Sequence, residues 1–183
     1  MLALLREKPE HGYGLHRRLQ GDDLLSRVWT IRQSQVYFLL SKLVRRRWVH
    51  RQRKGGGQGP PRAEFEITPA GRAALRRWMK TPVRAPRELR GAFAAKLYFT
   101  LLSSSPPAAR SLVARQRSAL RSWLTRHREG LPRSGPAAAV LRLRDVQTEA
   151  ALTYLDRLEP SVLLKGKAGK KGRRPKRIAG RER

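Results

Sequence analysis

Two apolar periods meet near residue 47, and their junction narrows the fold more than any other feature of the chain. In residues 33–46, Val36, Leu39, Leu40 and Leu43 fall at i, i+3, i+4 and i+7, the single stripe of an amphipathic helix. From Trp48 onward the alternation drops to two. Residues 48–54 and 62–68 each alternate, with Phe65 and Ile67 on one side. The segment Gly55-Gly-Gly-Gln-Gly-Pro-Pro61 between them suits a hairpin tip. A lone hairpin of this length is marginal in water, so it must lean on helices.

Helices are available on both sides. Residues 1–8 carry apolar side chains at positions 1, 2, 4 and 5 and stop at Pro9. Residues 11–20 read as a second short helix with Tyr13, Leu15 and Leu19 on its apolar side, ended by Gly21-Asp-Asp23. The connector 24–32 is expected to turn Leu24, Leu25, Val28, Trp29 and Ile31 inward. Thr68-Pro69 joins a hydroxyl cap to a proline in the first turn, starting a helix to about Lys80 that buries Leu75, Trp78 and Met79. Three further helical stretches, 88–104, 107–129 and 136–159, are punctuated by Pro, Gly and Ser at 103–107 and 130–136. The order of elements is that of a winged helix-turn-helix. The expected fold is mainly α: three helices and a two-stranded β-hairpin wing in residues 1–80, a helical region over 81–160, and a disordered basic tail over 161–183.

Charge narrows the partner. The 183 residues hold 42 Lys+Arg against 13 Asp+Glu, a formal net charge of +29. Self-repulsion on that scale calls for a polyanion. The excess is spread along the chain: +12 in residues 1–80, +8 in 81–164 and +9 in 165–183. The last stretch opens Lys165-Gly-Lys-Ala-Gly-Lys-Lys and is nearly free of apolar side chains, so it reads as an unfolded phosphate tether. An apolar content of 39%, with four tryptophans, supplies a core. The absence of cysteine excludes disulfides, thiol nucleophiles and Cys-type zinc sites. No apolar run approaches the ~20 residues of a membrane span, and no membrane partner is expected.

Catalysis finds little support. His11, His16, His50 and His127 stand in separate contexts without carboxylates at ligand spacing. The glycines at 55–59 lie between two strands, not after a strand and before a helix as a phosphate loop requires. No catalytic residue, metal or cofactor is expected.

Four stretches carry a family resemblance: His11-Gly12-Tyr13-Gly14-Leu15; Trp29-Thr-Ile-Arg-Gln-Ser-Gln-Val-Tyr37 with Leu40 and Leu43; Phe65-Glu-Ile-Thr68-Pro-Ala-Gly71; and Lys96-Leu97 with Gln116-Arg117 and Glu149-Ala-Ala-Leu-Thr-Tyr-Leu155. On these the chain resembles the PadR-type transcriptional regulators over roughly residues 1–160. Arg47 stands where that family usually has Gly, and Phe38 where a small residue or Pro is common. The resemblance implies a bacterial, cytoplasmic, nucleoid-associated homodimer that binds a palindromic operator in double-stranded DNA and usually represses. It also implies a small aromatic effector between subunits. Trp123, Tyr98 and Phe99 either line such a pocket or fill the core.

A recognition helix presents its N-terminal residues to base edges, which makes Gln33, Ser34, Gln35 and Tyr37 the readout candidates. Ser34 and Gln35 could equally cap the helix, and Tyr37 could pack with its hydroxyl on a phosphate. Lys42, Arg45, Arg51, Arg53, Lys54 and Arg62 are candidate phosphate contacts. The stripes Leu112, Leu120, Trp123 and Leu124, and Leu143, Ala150, Tyr154 and Leu155, exceed what a few helices hide within one chain and are the candidate dimerisation surface. The alternative is a sequence-indifferent nucleic-acid binder, architectural or RNA-directed, driven by the tail.

Overall fold

The computed structural model describes residues 1–21, 25–26, 29–54, 62–103, 105–130, 132 and 134–158. A one-turn helix α1 (Leu2–Leu5) is followed by strand β1 (Glu10–His11), helices α2 (Gly12–Gly21) and α3 (Gln33–Arg45), strands β2 (Val49–Lys54) and β3 (Arg62–Ile67), and helix α4 (Pro69–Lys80). A 3-10 turn (Pro86–Glu88) and a π-helical turn (Leu89–Phe93) lead into α5 (Ala94–Leu102), α6 (Pro106–Glu129) and α7 (Pro136–Arg157). This is a winged helix-turn-helix with a helical C-terminal half. Leu24 and Val28, expected to face inward, lie outside the described residues, as do the hairpin tip 55–61 and everything after 158.

The wing is larger than the expected two strands. β1, β3 and β2 form one antiparallel sheet in that order, with Glu10 opposite Phe65 and Val49 opposite Ile67. Two residues are too few to show a period, so β1 leaves no trace in the pattern. Its ring nitrogen secures it: His11 Nδ1 donates to the Ala63 carbonyl at 3.1 Å. The added strand covers what would otherwise be an unpaired edge of β3.

The N-terminal core joins Leu4, Leu5, Leu15, Leu25, Val36, Leu40, Val49, Phe65, Ile67 and Leu75, with Phe99 reaching in from α5. Trp29 and Ile31 pack against it half-buried, as expected of the connector. Three expected core residues face solvent instead: Tyr13 is 55% exposed, Leu39 37% and Trp78 38%. Helix α2 buries Gly12, Leu15 and Leu19, which turns Tyr13 outward. Helix α3 is covered along a narrower strip, Val36 and Leu40 with Leu43 and Val44 half-buried, and Leu39 marks the edge of that strip. Trp78 lies beneath a cation, with Lys96 Nζ 5.0 Å from its ring centroid.

A second cluster gathers Val83, Phe93, Leu97, Ala109, Leu112, Val113, Leu120 and Leu155. The linker between the clusters is fastened by polar side chains. Buried Gln116 treats Val83 as a strand would, accepting from its N–H at 2.8 Å and donating to its carbonyl at 3.2 Å. Buried Lys96 donates to the Thr81 carbonyl, and burial pushes its ammonium below the usual lysine range. Glu88 accepts from the Arg84 and Ala85 amides at 3.0 Å, and the Ala85 amide in particular holds its carboxyl below the ordinary value.

Helix α7 turns its apolar stripe outward. Its buried positions are Ala138, Asp145, Thr148 and Leu155. Val140, Leu143, Val146, Ala150 and Tyr154 are exposed. Polar anchors set this rotation. Arg117 pairs with Asp156 at 2.6 Å, and Arg128 reaches both Asp145, at 3.2 Å, and Glu149. Thr148 is buried without loss because its hydroxyl donates to the Arg144 carbonyl one turn back. Among the described residues no helix is long and apolar enough to cross a membrane.

Candidate nucleic-acid interface

Extended backbone at Arg32 (φ −77°, ψ 152°) delivers the chain into α3. Gln35 closes the start: its Oε1 accepts the Arg32 N–H at 2.8 Å, so its carbonyl is committed to capping while its amide N–H groups are left over. Gln33 and Ser34 are exposed, and their side chains make no hydrogen bond among the described residues. They stand at the positive end of the helix dipole, where unpaired backbone amides favour an anion.

Tyr37 serves two surfaces. Its ring crosses α2 at Gly12, where an added Cβ would meet Tyr37 Cε1 at 2.6 Å, yet 44% of the residue stays exposed. The next residue, Phe38, is 55% exposed and carries the Lys42 ammonium 4.2 Å from its ring centroid. Arg45 is exposed on the same helix. Two further cations border the surface, Arg32 at its start and Arg46 at its end, the latter 5.1 Å from the Trp48 ring. Both sit at the helix boundaries, where the apolar period that identifies the outer face gives no signal.

The helix closes through a Schellman arrangement. Trp48 N–H donates to the Leu43 carbonyl at 3.0 Å and Arg47 N–H to Val44 at 2.8 Å. Arg47 takes the left-handed conformation this requires, with φ +56°. Thr68 then ties the helix end to the wing exit: its Oγ1 donates to the Arg47 carbonyl at 2.8 Å and accepts the Gly71 N–H at 3.0 Å. Gly71 has no substitute there, since a Cβ would fall 2.0 Å from the Trp48 carbonyl oxygen.

On the wing, Arg51 is exposed and pairs in register with Phe65. The backbones of Arg53 and Lys54 pair with those of Ala63 and Arg62. The side chains of Arg53, Lys54 and Arg62 lie outside the described residues, as does the tail 161–183.

Three of the four histidines have structural partners, and His50 is exposed on β2. Alongside His11, His16 Nε2 donates to the Ile31 carbonyl at 3.1 Å, which holds the connector onto α2. His127 stacks on Trp123 with centroids 4.4 Å apart and lies 3.5 Å from Asp145. No group of three or more metal-ligating side chains occurs among the described residues.

The expected dimerisation and effector residues divide. Leu112, Leu120 and Leu155 are interior to the chain, Trp123 and Leu124 are half-buried, and Leu143, Ala150 and Tyr154 are exposed. Periodicity identifies an apolar face without saying whose surface covers it. Of the expected effector contacts, Phe99 is in the N-terminal core and Trp123 is occupied by His127, while Tyr98 lines a groove of about 510 Å³ with Trp29, Phe93, Leu97, Tyr154 and Arg90.

Comparison with known proteins places the first part of this architecture. The model of the transcriptional regulator PadR-like family matches residues 1–77. The match covers the winged-helix part of the chain, from α1 into α4. A probable transcriptional regulator of Mycobacterium tuberculosis is 31% identical over 91 residues, 50% of this chain and 47% of that protein. The chain thus spans about half the length of this curated relative. Among solved structures, Bacillus subtilis PadR in complex with operator DNA is 21% identical, with 91% of this chain and 96% of that one covered and a TM-score of 0.43. A PadR-like transcriptional regulator from Bacillus cereus is 18% identical, with coverage of 88% and 92% and a TM-score of 0.37. Within the matched residues the His11-Gly12-Tyr13 stretch has a steric reason, because Gly12 is the point where the α3 tyrosine passes over α2.

Proposed function

We propose that the chain is a DNA-binding transcriptional regulator that acts as a homodimer on a palindromic operator, usually as a repressor. The observation that carries the reading is the division of α3 into two faces. Val36 and Leu40 lock one face to the core, while Gln33, Ser34, Tyr37, Lys42 and Arg45 stand on the exposed remainder. An element of this kind places 3–4 side chains at base edges and lets its cations and those of the wing hold the backbone. Two such helices about one DNA turn apart require two copies. The outward stripe of α7 supports this, because Val140, Leu143 and Val146 are each more than half exposed. The groove under Tyr98 supports a small aromatic effector: its walls are almost wholly apolar and join the connector residue Trp29 to α5 and α7. An occupant would change how the C-terminal helices meet the DNA-reading unit.

The test is footprinting of the purified chain on the DNA upstream of its own gene and its neighbours. An inverted repeat should be protected. Ser34→Ala with Tyr37→Ala should lose affinity for that repeat while keeping affinity for random duplex. Removal of residues 165–183 should lower affinity for both alike. Equal loss on both duplexes in the Ser34/Tyr37 variant would overturn operator reading by α3 and favour the sequence-indifferent binder.

A further inference from the structure

From Leu89 to Arg128 the chain contains no aspartate or glutamate, and six arginines of this stretch lie on α6. The structure treats the six unequally. Arg117 and Arg128 turn toward α7 and are neutralised there, Arg117 by Asp156 and Arg128 by Asp145 and Glu149. Arg110, Arg115, Arg121 and Arg126 are exposed, and their side chains make no ion pair or hydrogen bond among the described residues. The acids of α7 thus match the inner cations and leave the outer ones unmatched.

The four unmatched arginines are arranged in two rows. Arg110 and Arg121 are eleven positions apart, as are Arg115 and Arg126, so each pair stands on nearly one line about 16 Å long. The two lines are offset by about 140° around the helix. Between them runs a floor of short side chains, Ser111, Ala114, Ser118, Ser122 and Thr125, four of them hydroxyls. A second copy of this chain does not fit such a face. Its own net charge is +29, and the acids on α7 are already paired. A polyanion with charges on both flanks of a narrow ridge does fit, and hydroxyls as well as arginines are suited to phosphate oxygens.

We propose that the outer face of α6 is a second DNA-backbone surface, separate from α3 and the wing, which tracks phosphates without reading sequence. It rests on the DNA-binding reading above but not on operator recognition by α3. Its role is to extend the grip of the regulator along the duplex and to raise its residence on DNA of any sequence.

Two measurements test this on the full chain. The first is the salt dependence of binding to a 40-base-pair random duplex. Each lost phosphate contact lowers the slope of log K against log salt by about 0.9. The variant carrying Arg110→Ser, Arg115→Ser, Arg121→Ser and Arg126→Ser should therefore lose about two to four units of slope, and the four Arg→Lys changes should lose less than one. An unchanged slope in the serine variant overturns the proposal. If that variant instead keeps its DNA slope and loses binding to a polyglutamate peptide, the face belongs to an acidic protein segment and the proposal fails. The second uses the absence of cysteine, which makes single-site labelling clean. An iron chelate tethered at Ser118→Cys should cut the DNA backbone, as should one at Gln33→Cys. Cutting from position 33 alone overturns the α6 surface and leaves the α3 reading intact. Cutting from 118 alone overturns the α3 reading, and cutting from neither overturns both.

Discussion

Thr68 Oγ1 donates to the Arg47 carbonyl at 2.8 Å while accepting the Gly71 amide at 3.0 Å, so one hydroxyl joins the end of α3 to the start of α4. The wing hangs between these two points, and its angle to α3 depends on them. Thr68→Val keeps the volume and removes both bonds. It should cost about 2 kcal/mol, a helix cap plus one buried hydrogen bond, in urea unfolding. Thr68→Ser keeps the hydroxyl and should stay within about 1 kcal/mol of the parent. Equal losses in the two variants would show that the methyl group, not the hydroxyl, holds this junction.

Arg47 sits at φ +56°, a conformation that costs a residue with a Cβ about 1–2 kcal/mol and glycine almost nothing. Arg47→Gly should therefore stabilise the chain by about 0.5–1 kcal/mol after the added freedom of the unfolded glycine is set against it. An arginine at a strained, exposed helix end fits a phosphate contact. The same variant should bind random duplex with a salt slope shallower by about one. A stabilised variant with unchanged DNA affinity would remove Arg47 from the interface.

Gly71→Ala should be among the most damaging single changes in the chain. The new methyl would lie 2.0 Å from the Trp48 carbonyl oxygen, which also accepts the Thr68 amide at 3.0 Å. Neither atom is the end of a flexible side chain, so relief means moving the wing off α4. A loss of about 3 kcal/mol or more is expected in thermal or urea unfolding. A loss below 1 kcal/mol would mean that the wing and α4 are not packed this closely.

These particulars explain how much was legible in the sequence. The helices, the hairpin and the capping Thr68 follow from periods and caps that span many residues, and each is present. What escaped was set by a single contact or by a choice between faces. Strand β1 has two residues and no period. Gln35 could read a base or cap the helix with the same side chain, and only the 2.8 Å bond to Arg32 decides for its carbonyl. Leu112, Leu120 and Leu155 belong to stripes as apolar as those of Leu143 and Tyr154, and periodicity does not say which side of a helix meets its own chain. On α7 that side was set by Asp145 and Thr148, polar residues that hydropathy assigns to the surface.

Buried Lys96 gives the linker a pH signature. Burial holds its pKa below the ordinary value of 10.5. The folded chain therefore releases this proton more readily than the unfolded chain, and stability rises with pH across the interval just below 10.5. Lys96→Met keeps the packing over Trp78 and removes the proton. The difference in stability between Lys96→Met and the parent should shift toward the parent as the pH climbs through that interval. A constant difference would mean that the ammonium is solvated in the folded state.

Association through α7 should respond to salt in the opposite sense to DNA binding. Two chains of net charge +29 repel, so any contact between them draws on the exposed apolar stripe and gains from screening. DNA binding releases counterions and weakens as salt rises. Sedimentation equilibrium at micromolar concentration should find a dimer whose dissociation constant falls between 50 mM and 300 mM salt, while affinity for duplex falls over the same range. Leu143→Glu with Val146→Glu places carboxylates on side chains that are 58% and 60% exposed in the subunit. The thermal midpoint of the subunit should therefore change little, and the dimer should be lost at every salt concentration. A parent chain that sediments as a monomer throughout would leave the α7 stripe without a partner and operator recognition by paired α3 helices without a basis.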